Sequence, residues 1–291
     1  MRKILPIIVV ALLPVCIAAL VALGPEHRGS SPPDGRLEVH FLDVGQGDCI
    51  LLQTPDGRNV LIDAGDRDSA EDVVRYLDRH GVDRIDLLVI THPHMDHIGG
   101  LPRVLERFGV SQVIDAGYPH GSQTYKEVLS SFQARRIDYR RGSAYQRPQV
   151  SKSVSLDIIW PADDYVPSGE AALNNGSVVV RATYGDVSLL LPGDIQSEAE
   201  DRILAARREL QSTILKVAHH GSQESTSNEF LQVVWPQYAV ISVGAENQYG
   251  HPGRAVLRRL NACGAAVYRT DHNGNIVFTT DGRAVQVATE R

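Results

Sequence analysis

The sequence predicts an α/β fold, two β-sheets packed face to face with helices on their outer sides, preceded by one membrane span at the amino terminus. Three observations carry this expectation. Short β-rich runs alternate with amphipathic stretches twice along the chain, hairpin-like strand pairs lead each half, and an uncharged apolar run fills residues 4–23. With 291 residues, 43% of them apolar and 22% charged, the chain can bury a sizeable core, which excludes disorder, collagen-like repeats and a coiled coil. The net charge of −6 excludes a uniformly basic nucleic-acid coat, so any phosphate partner must be met locally. Cys16, Cys49 and Cys263 are too few and too scattered for a disulfide scaffold.

The elements follow in order. Arg2 and Lys3 precede an apolar run long enough to span a bilayer, so the amino end is expected in the cytoplasm and the remainder outside it. Pro25 sits where cleavage would leave the new terminus, which favours an uncleaved single-pass anchor over residues 1–24; the protein would be secreted if that segment were cut. Residues 25–36, with Pro25, Pro32 and Pro33, read as a tether, and residues 37–291 as one domain. "LEVHFLDV", "CILLQT" and "NVLIDAG" read as successive strands, with turns at Gly45 and Gly47 and at Asp56 and Gly57. In "SAEDVVRYLDRHG", Ser69 and Asp72 predict a capping box, Val73, Val74 and Leu77 an apolar face, and Gly81 the stop. "IDLLVIT" predicts a buried strand, "IGGLPRVLERFG" a helix, "QVIDAG" a strand, and residues 123–135 a helix. The second half gives strands "SVVVRATYG" and "VSLLLPGD", a helix over 197–208, strand "TILKVAH", a helix near 228–234, strand "YAVISVG" and a helix over 253–261. Late strands are expected near 265–268, 275–280 and 284–287.

The chemistry begins at Thr91. In "THPHMDHIGG" a hydrophobic strand runs out into His92, His94, Asp96 and His97, four ligand-type side chains within six positions, ahead of a Gly-Gly turn. Imidazole and carboxylate are the ligands that zinc and similar divalent ions take, and a turn can aim them at one point.

Together with this loop, the blocks "HFLDVGQGDCILL", "LIDAG", "LPGDI", "LKVAHHGS" and "VGAENQYGHP" make the chain resemble the metallo-β-lactamase superfamily, and within it the soluble hydrolase domain of the ComEC competence proteins, over residues 37 to about 280. The resemblance implies an αββα sandwich and two divalent metal ions, zinc or manganese. It also implies that Asp63 orients the histidine loop from behind and that Asp194 bridges the metals, which suits a carboxylate at the ~3.5–4 Å separation of two-metal hydrolases. One metal is then expected on His92, His94 and Asp194 with Asn175 completing it, the other on Asp96, His97, Asp194 and either His219 or His220. Side chains alternate at the end of a strand, so only one of that histidine pair is expected to reach the metal. Asn174 and Asn175 can equally be turn residues.

Further catalytic candidates are Asp96 in the metal loop, His251 in "YGHP" as a general acid or phosphate contact, and Lys216 as a cation aimed from within a strand. Asp48, after Gly45 and Gly47, looks like part of the family signature. Arg135, Arg136, Arg140, Arg141 and Arg147, beside Tyr139 and Tyr145, form a basic cluster able to grip a phosphodiester backbone and stack bases; a solvated face is the plain alternative. His120 shows no partner spacing and reads as a surface or packing residue. The expected function is a metal-dependent phosphodiesterase acting on DNA outside the cytoplasm. The alternatives are a hydrolase of envelope phosphodiesters of the phosphorylcholine type or of a small ester or lactam, and a non-catalytic DNA-binding partner of a separate channel protein.

Overall fold

A computed structural model describes residues 35–168 and 171–291. The chain runs in order through β1 (Leu37–Phe41), β2 (Ile50–Gln53), β3 (Asn59–Ile62), α1 (Ala70–Arg79), β4 (Arg84–Ile90), α2 (Met95–Ile98), α3 (Leu101–Arg107), β5 (Gly109–Asp115), α4 (Gln123–Arg135), β6 (Asp138–Arg141) and β7 (Ser155–Trp160). It continues through α5 (Ala172–Asn175), β8 (Val179–Tyr184), β9 (Val187–Leu191), α6 (Ser197–Ala205), β10 (Ile214–Lys216), α7 (Asn228–Val234), β11 (Tyr238–Ile241), α8 (Arg254–Ala262), β12 (Ala266–Arg269), α9 (Thr270–Asn273), β13 (Ile276–Thr280) and β14 (Val285–Thr289).

Alternation along the strands decides the layers. Leu51, Leu61 and Leu88 lie in register across β2, β3 and β4 and face a cluster formed with Val73 and Leu77 of α1, Val104 and Leu105 of α3, and Val128 and Phe132 of α4. Their neighbours Ile50, Leu52, Val60, Ile62, Leu87 and Val89 point the other way, into a second cluster with Val180, Leu189, Leu191, Leu215 and Val240 of the opposing sheet. Both faces are thus apolar, and β4 reads as a nearly continuous hydrophobic run. One sheet has the order β14-β13-β1-β2-β3-β4-β5-β6 and the other β12-β11-β10-β9-β8-β7. The αββα sandwich expected from the sequence is present. The last hairpin, β13–β14, returns to the first sheet, where β13 pairs antiparallel with β1.

Several expectations change. No helix among the described residues is long and apolar enough to cross a membrane, and the longest helix given above, α4, has 13 residues, about 20 Å at helical rise, with its buried side chains spent on the first sheet. The apolar run at 4–23 lies outside the described residues. For the described residues, then, the membrane-anchored architecture, the membrane as a partner and the single-pass extracytoplasmic placement are corrected, since no helix there can carry them. The capping box is also replaced. Residues 67–69 already form a 3-10 turn, so Ser69 has helical dihedrals and its hydroxyl donates back to the Asp66 carbonyl at 2.9 Å instead of capping α1. β6 and β7 were not expected. β6, "DYRR", has no buried residue and exists through parallel pairing with β5.

Candidate metal centre

The parallel strands β3 and β4 of one sheet and β9 and β10 of the other send their carboxyl ends into loops that meet at one rim, where an open α/β sheet ordinarily offers its binding crevice. Asp63 follows β3, Thr91 to His97 follow β4, Asp194 follows β9, and His219 and His220 follow β10. Two glycines let these loops close on one another. Gly47, at φ +137°, carries no Cβ where one would meet the Asp96 carbonyl oxygen at 2.1 Å, and the Asp48 N–H donates to that carbonyl at 3.2 Å. Gly193, at φ +60°, packs so closely on Ser177 and Thr91 that a Cβ would sit 2.9 Å and 3.0 Å from theirs, which brings Asp194 up against the histidine loop.

Asp63 is fully buried and itself left-handed at φ +57°, a cost of about 1–3 kcal/mol that its contacts must offset. Its carboxylate accepts from the Thr91 N–H at 2.9 Å, from the Thr91 hydroxyl at 2.6 Å and from His97 Nδ1 at 2.7 Å. That last bond fixes the His97 ring with Nε2 toward Asp194 Oδ2, 3.2 Å away. His220 is fixed in the same manner, since its Nδ1 donates to the Ser242 carbonyl at 2.9 Å and its Nε2 lies 3.2 Å from Asp96 Oδ2 and 3.3 Å from Asp194 Oδ2. One ligand atom each from Asp96, His97, Asp194 and His220 falls within 4.8 Å of the others, and an overlapping group joins Asp48, Asp63 and His97. In the second group, Asp63 is already engaged by Thr91 and His97, and Asp48 by Lys216, so it buttresses His97. His92 and His94 meet beside the first group, with His92 Nε2 3.0 Å from His94 Nδ1 and 3.9 Å from Asp194 Oδ2.

The electrostatics follow from this crowding. Burial opposes charge on His97, yet the carboxylates of Asp194, Asp96 and Asp63 hold its pKa well above the ordinary value. Burial likewise opposes charge on His220, and Asp194 overrides it, raising that ring to about 9. Asp194 is pulled well below the carboxylate range against its own burial, by His220 first and then His97. His92 and His94 are lowered, chiefly by burial. His220 Nε2 is buried without a hydrogen-bond partner beside the Asp96 and Asp194 carboxylates, a costly arrangement that a cation held there relieves. A set of hard carboxylate oxygens and imidazole nitrogens, held from behind by Asp63 and Ser242, fits a divalent ion.

Within the histidine pair, His219 and His220 are not in a strand but in consecutive left-handed turns, at φ 49° and 53°. His220 is buried in the cluster. His219 stands at the rim with Nδ1 3.1 Å from Gln196 Nε2 and Nε2 3.9 Å from Asp194 Oδ2. Asn175 turns away from the cluster, its Oδ1 accepting from the Gln196 N–H at 2.8 Å, whereas Asn174 approaches His219 Nε2 at 3.4 Å. Lys216 is fully buried behind Asp194, in contact with Asp48 and with Nζ 3.7 Å from Asp194 Oδ1, where it can position carboxylates but not reach a substrate. Those carboxylates keep its pKa raised in spite of burial. His251 reaches the same rim, its ring 5.5 Å from that of His219, and burial followed by repulsion from His219 and His220 lowers it to about 4.

The five arginines of the basic cluster are all exposed, and most of them have neighbours within the chain. Arg135 donates to the Leu105 carbonyl, Arg140 pairs with Asp138 at 2.9 Å, and Arg147 with Asp157 at 2.5 Å. Arg136 ends α4 in a left-handed turn, and Arg141 lies over the Tyr118 ring at 5.0 Å. The Tyr139 hydroxyl donates to Asp115 at 2.8 Å, leaving Tyr145 exposed with Arg208 over its ring at 4.0 Å. Conversely, His120 lies 6.2 Å from the His94 ring; its place just past the end of β5, the signal that drew attention to His251, was available in the sequence. Thr91 and Ser177 were also missed, although the Ser177 hydroxyl accepts from the Asp194 N–H at 3.1 Å.

The description of the Metallo-beta-lactamase superfamily fits residues 42–245, which include every ligand-type side chain of the two groups. The chain belongs to the metallo-beta-lactamase superfamily. It is 31% identical over 268 residues to ComE operon protein 3 of Bacillus subtilis (strain 168), covering 84% of this chain and 33% of that protein. It is 31% identical over 259 residues to Competence protein ComA of Neisseria gonorrhoeae, covering 87% and 33%. The chain therefore spans about a third of the length of these relatives. Among solved structures, CmlA, a diiron beta-hydroxylase from Streptomyces venezuelae, superposes with a TM-score of 0.50 at 14% identity over 82% of this chain and 53% of that one, a likeness of fold alone. The superfamily fold and its clustered His and Asp side chains equip this chain for metal-dependent hydrolysis.

Proposed function

We propose that the chain is a phosphodiesterase that works with two divalent ions, zinc or manganese, and that DNA is its substrate. The observation that carries the reading is the position of Asp194. Its Oδ2 lies within 3.2–3.9 Å of His97, His220, His219 and His92, so one carboxylate stands between the His92/His94 pair and the Asp96/His97/His220 group. Asp194 would then be shared by both ions, with His92 and His94 on one side and Asp96, His97 and His220 on the other. Bound there, divalent ions lower the pKa of water and polarise the scissile phosphoryl group.

The residues of the chain supply the rest. Asp63 and the Ser242 carbonyl hold the two imidazoles by their far nitrogens, and Lys216 holds the Asp48 and Asp194 carboxylates in place from behind. His251, neutral on the rim, is placed to donate its ring N–H to a phosphate oxygen. DNA as the substrate is supported by the resemblance to the ComEC proteins and by the similarity to a protein named for competence. The test is hydrolysis of bis-p-nitrophenyl phosphate, single-stranded DNA and nitrocefin with manganese or zinc. Hydrolysis of both phosphodiesters and not nitrocefin is expected, and hydrolysis of nitrocefin alone would refute the reading.

A further inference from the structure

We propose that Tyr249 is a stacking platform for a nucleobase, so that the metal centre acts on unpaired strands; this rests on the phosphodiesterase reading above. Tyr249 is 61% exposed, an aromatic ring presented to water rather than packed. Its inner face is stacked on His251, with centroids 5.7 Å apart and planes at 26°. His251 in turn lies 5.5 Å from His219, whose Nε2 is 3.9 Å from Asp194 Oδ2. A ladder of three rings therefore leads from the surface to the carboxylate at the middle of the cluster, and its outermost face is open.

The loop that carries Tyr249 is braced by one side chain. Asn247 Oδ1 accepts from the N–H of both Tyr249, at 3.2 Å, and His251, at 2.9 Å, while its Nδ2 donates to the carbonyls of Gly244 at 2.8 Å and His251 at 2.7 Å. A backbone held this firmly, with the ring resting on His251, leaves little freedom to lose when a flat partner settles on it. The partner that suits this face is planar and lies three rings out from a phosphate held at the cluster, within reach of a strand that runs from that phosphate along the ladder, which describes the base of a nearby nucleotide. Bases inside a duplex have both faces occupied, so the platform selects an unpaired strand. The other exposed aromatics among the described residues do not share this placement. Tyr139 is tied through its hydroxyl to Asp115, Tyr145 has a face covered by Arg208, and Trp235 precedes β11, whereas His251 follows it, which puts Trp235 at the end of the strand away from the rim.

The test uses the full chain with manganese or zinc and labelled single-stranded oligonucleotides carrying an abasic site at each position in turn. Tyr249→Ala should raise KM for the intact oligonucleotide about tenfold, within the range for loss of one base–aromatic stack, and Tyr249→Trp should restore it. One abasic position should raise KM by the same factor in the unmodified protein and have no effect in Tyr249→Ala. Trp235→Ala should leave KM unchanged. An unaltered KM in Tyr249→Ala, an abasic effect equal in both proteins, or equal cleavage of duplex and single strand overturns the platform. Hydrolysis of bis-p-nitrophenyl phosphate by the unmodified protein separates the two failures. If the diester is cleaved while Tyr249 has no influence, the stacking fails alone; if neither substrate is cleaved, the phosphodiesterase reading falls with it.

Discussion

Replacing Lys216 by methionine isolates what a buried cation does at this centre. Lys216 has no exposed surface, and its ammonium contacts Asp48, lies 3.7 Å from Asp194 Oδ1 and donates to the Gly193 carbonyl at 3.5 Å. Methionine keeps the length and apolar volume of the stem but leaves two buried carboxylates without that cation. Removing one partner of a buried pair costs about 3–5 kcal/mol, against a total of about 5–15 kcal/mol for a typical domain. Urea denaturation of the metal-free protein should therefore show a markedly lower midpoint at an unchanged slope. The double variant Lys216→Met, Asp48→Asn removes the opposing charge as well and should regain about half of the loss, so the coupling measured by the cycle is large. Zinc or manganese at saturation should shrink the single-variant penalty, because ligands that bind only the folded state add stability and bring positive charge to Asp194. A loss below about 1 kcal/mol for Lys216→Met, or a double variant weaker than the single, would refute the reasoning.

Three further outcomes follow from the same geometry. Asp63→Asn removes the acceptor that orients His97, and metal affinity measured by titration should fall about 10–100-fold without loss of the fold; an unchanged affinity would mean that His97 is held by other contacts. His220→Ala should release metal, by elemental analysis, while His219→Ala retains it, since His220 has its Nε2 inside the cluster and His219 stands at the rim; equal loss in both contradicts that division. The Asp56 carboxylate is partly desolvated, yet bonds from Ser151, the Lys152 N–H and Thr54 lower it to about 2. Its stabilising effect is thus present above the unfolded value near 4 and lost as pH falls toward 2; for so exposed a group it amounts to about 1 kcal/mol or less. Asp56→Asn should remove that part of the acid sensitivity between pH 4 and 2, and an identical acid transition in the variant would show that the bonds do not hold in solution.

Much of the fold was legible because the strands that build it are apolar on both faces or alternate cleanly. β2, β3, β4 and β9 are buried throughout or nearly so, and their sequences leave little else to form. β6 was hidden since "DYRR" carries no apolar pattern and is held only by its partner strand. The site was legible where ligand-type side chains crowd into one loop, as at His92, His94, Asp96 and His97. It was not where the backbone departs from regular structure. The alternation argument could not decide between His219 and His220, because both sit in left-handed turns. Closeness in sequence likewise said nothing of the carbonyl of Leu105 or of Asp157, the neighbours of the exposed Arg135 and Arg147. The amide expected from Asn175 is not in the cluster, since Asn175 is spent on the Gln196 N–H ahead of α6.

The central claim is that Asp194 joins two metal ions in one centre. Its most direct measurement is metal content by elemental analysis after equilibration with zinc or manganese and dialysis, for the unmodified protein and for Asp194→Asn and His92→Ala. Two ions per chain are expected in the unmodified protein, one in His92→Ala, and fewer than one in Asp194→Asn. Two ions retained in Asp194→Asn, or none bound by the unmodified protein, would contradict it.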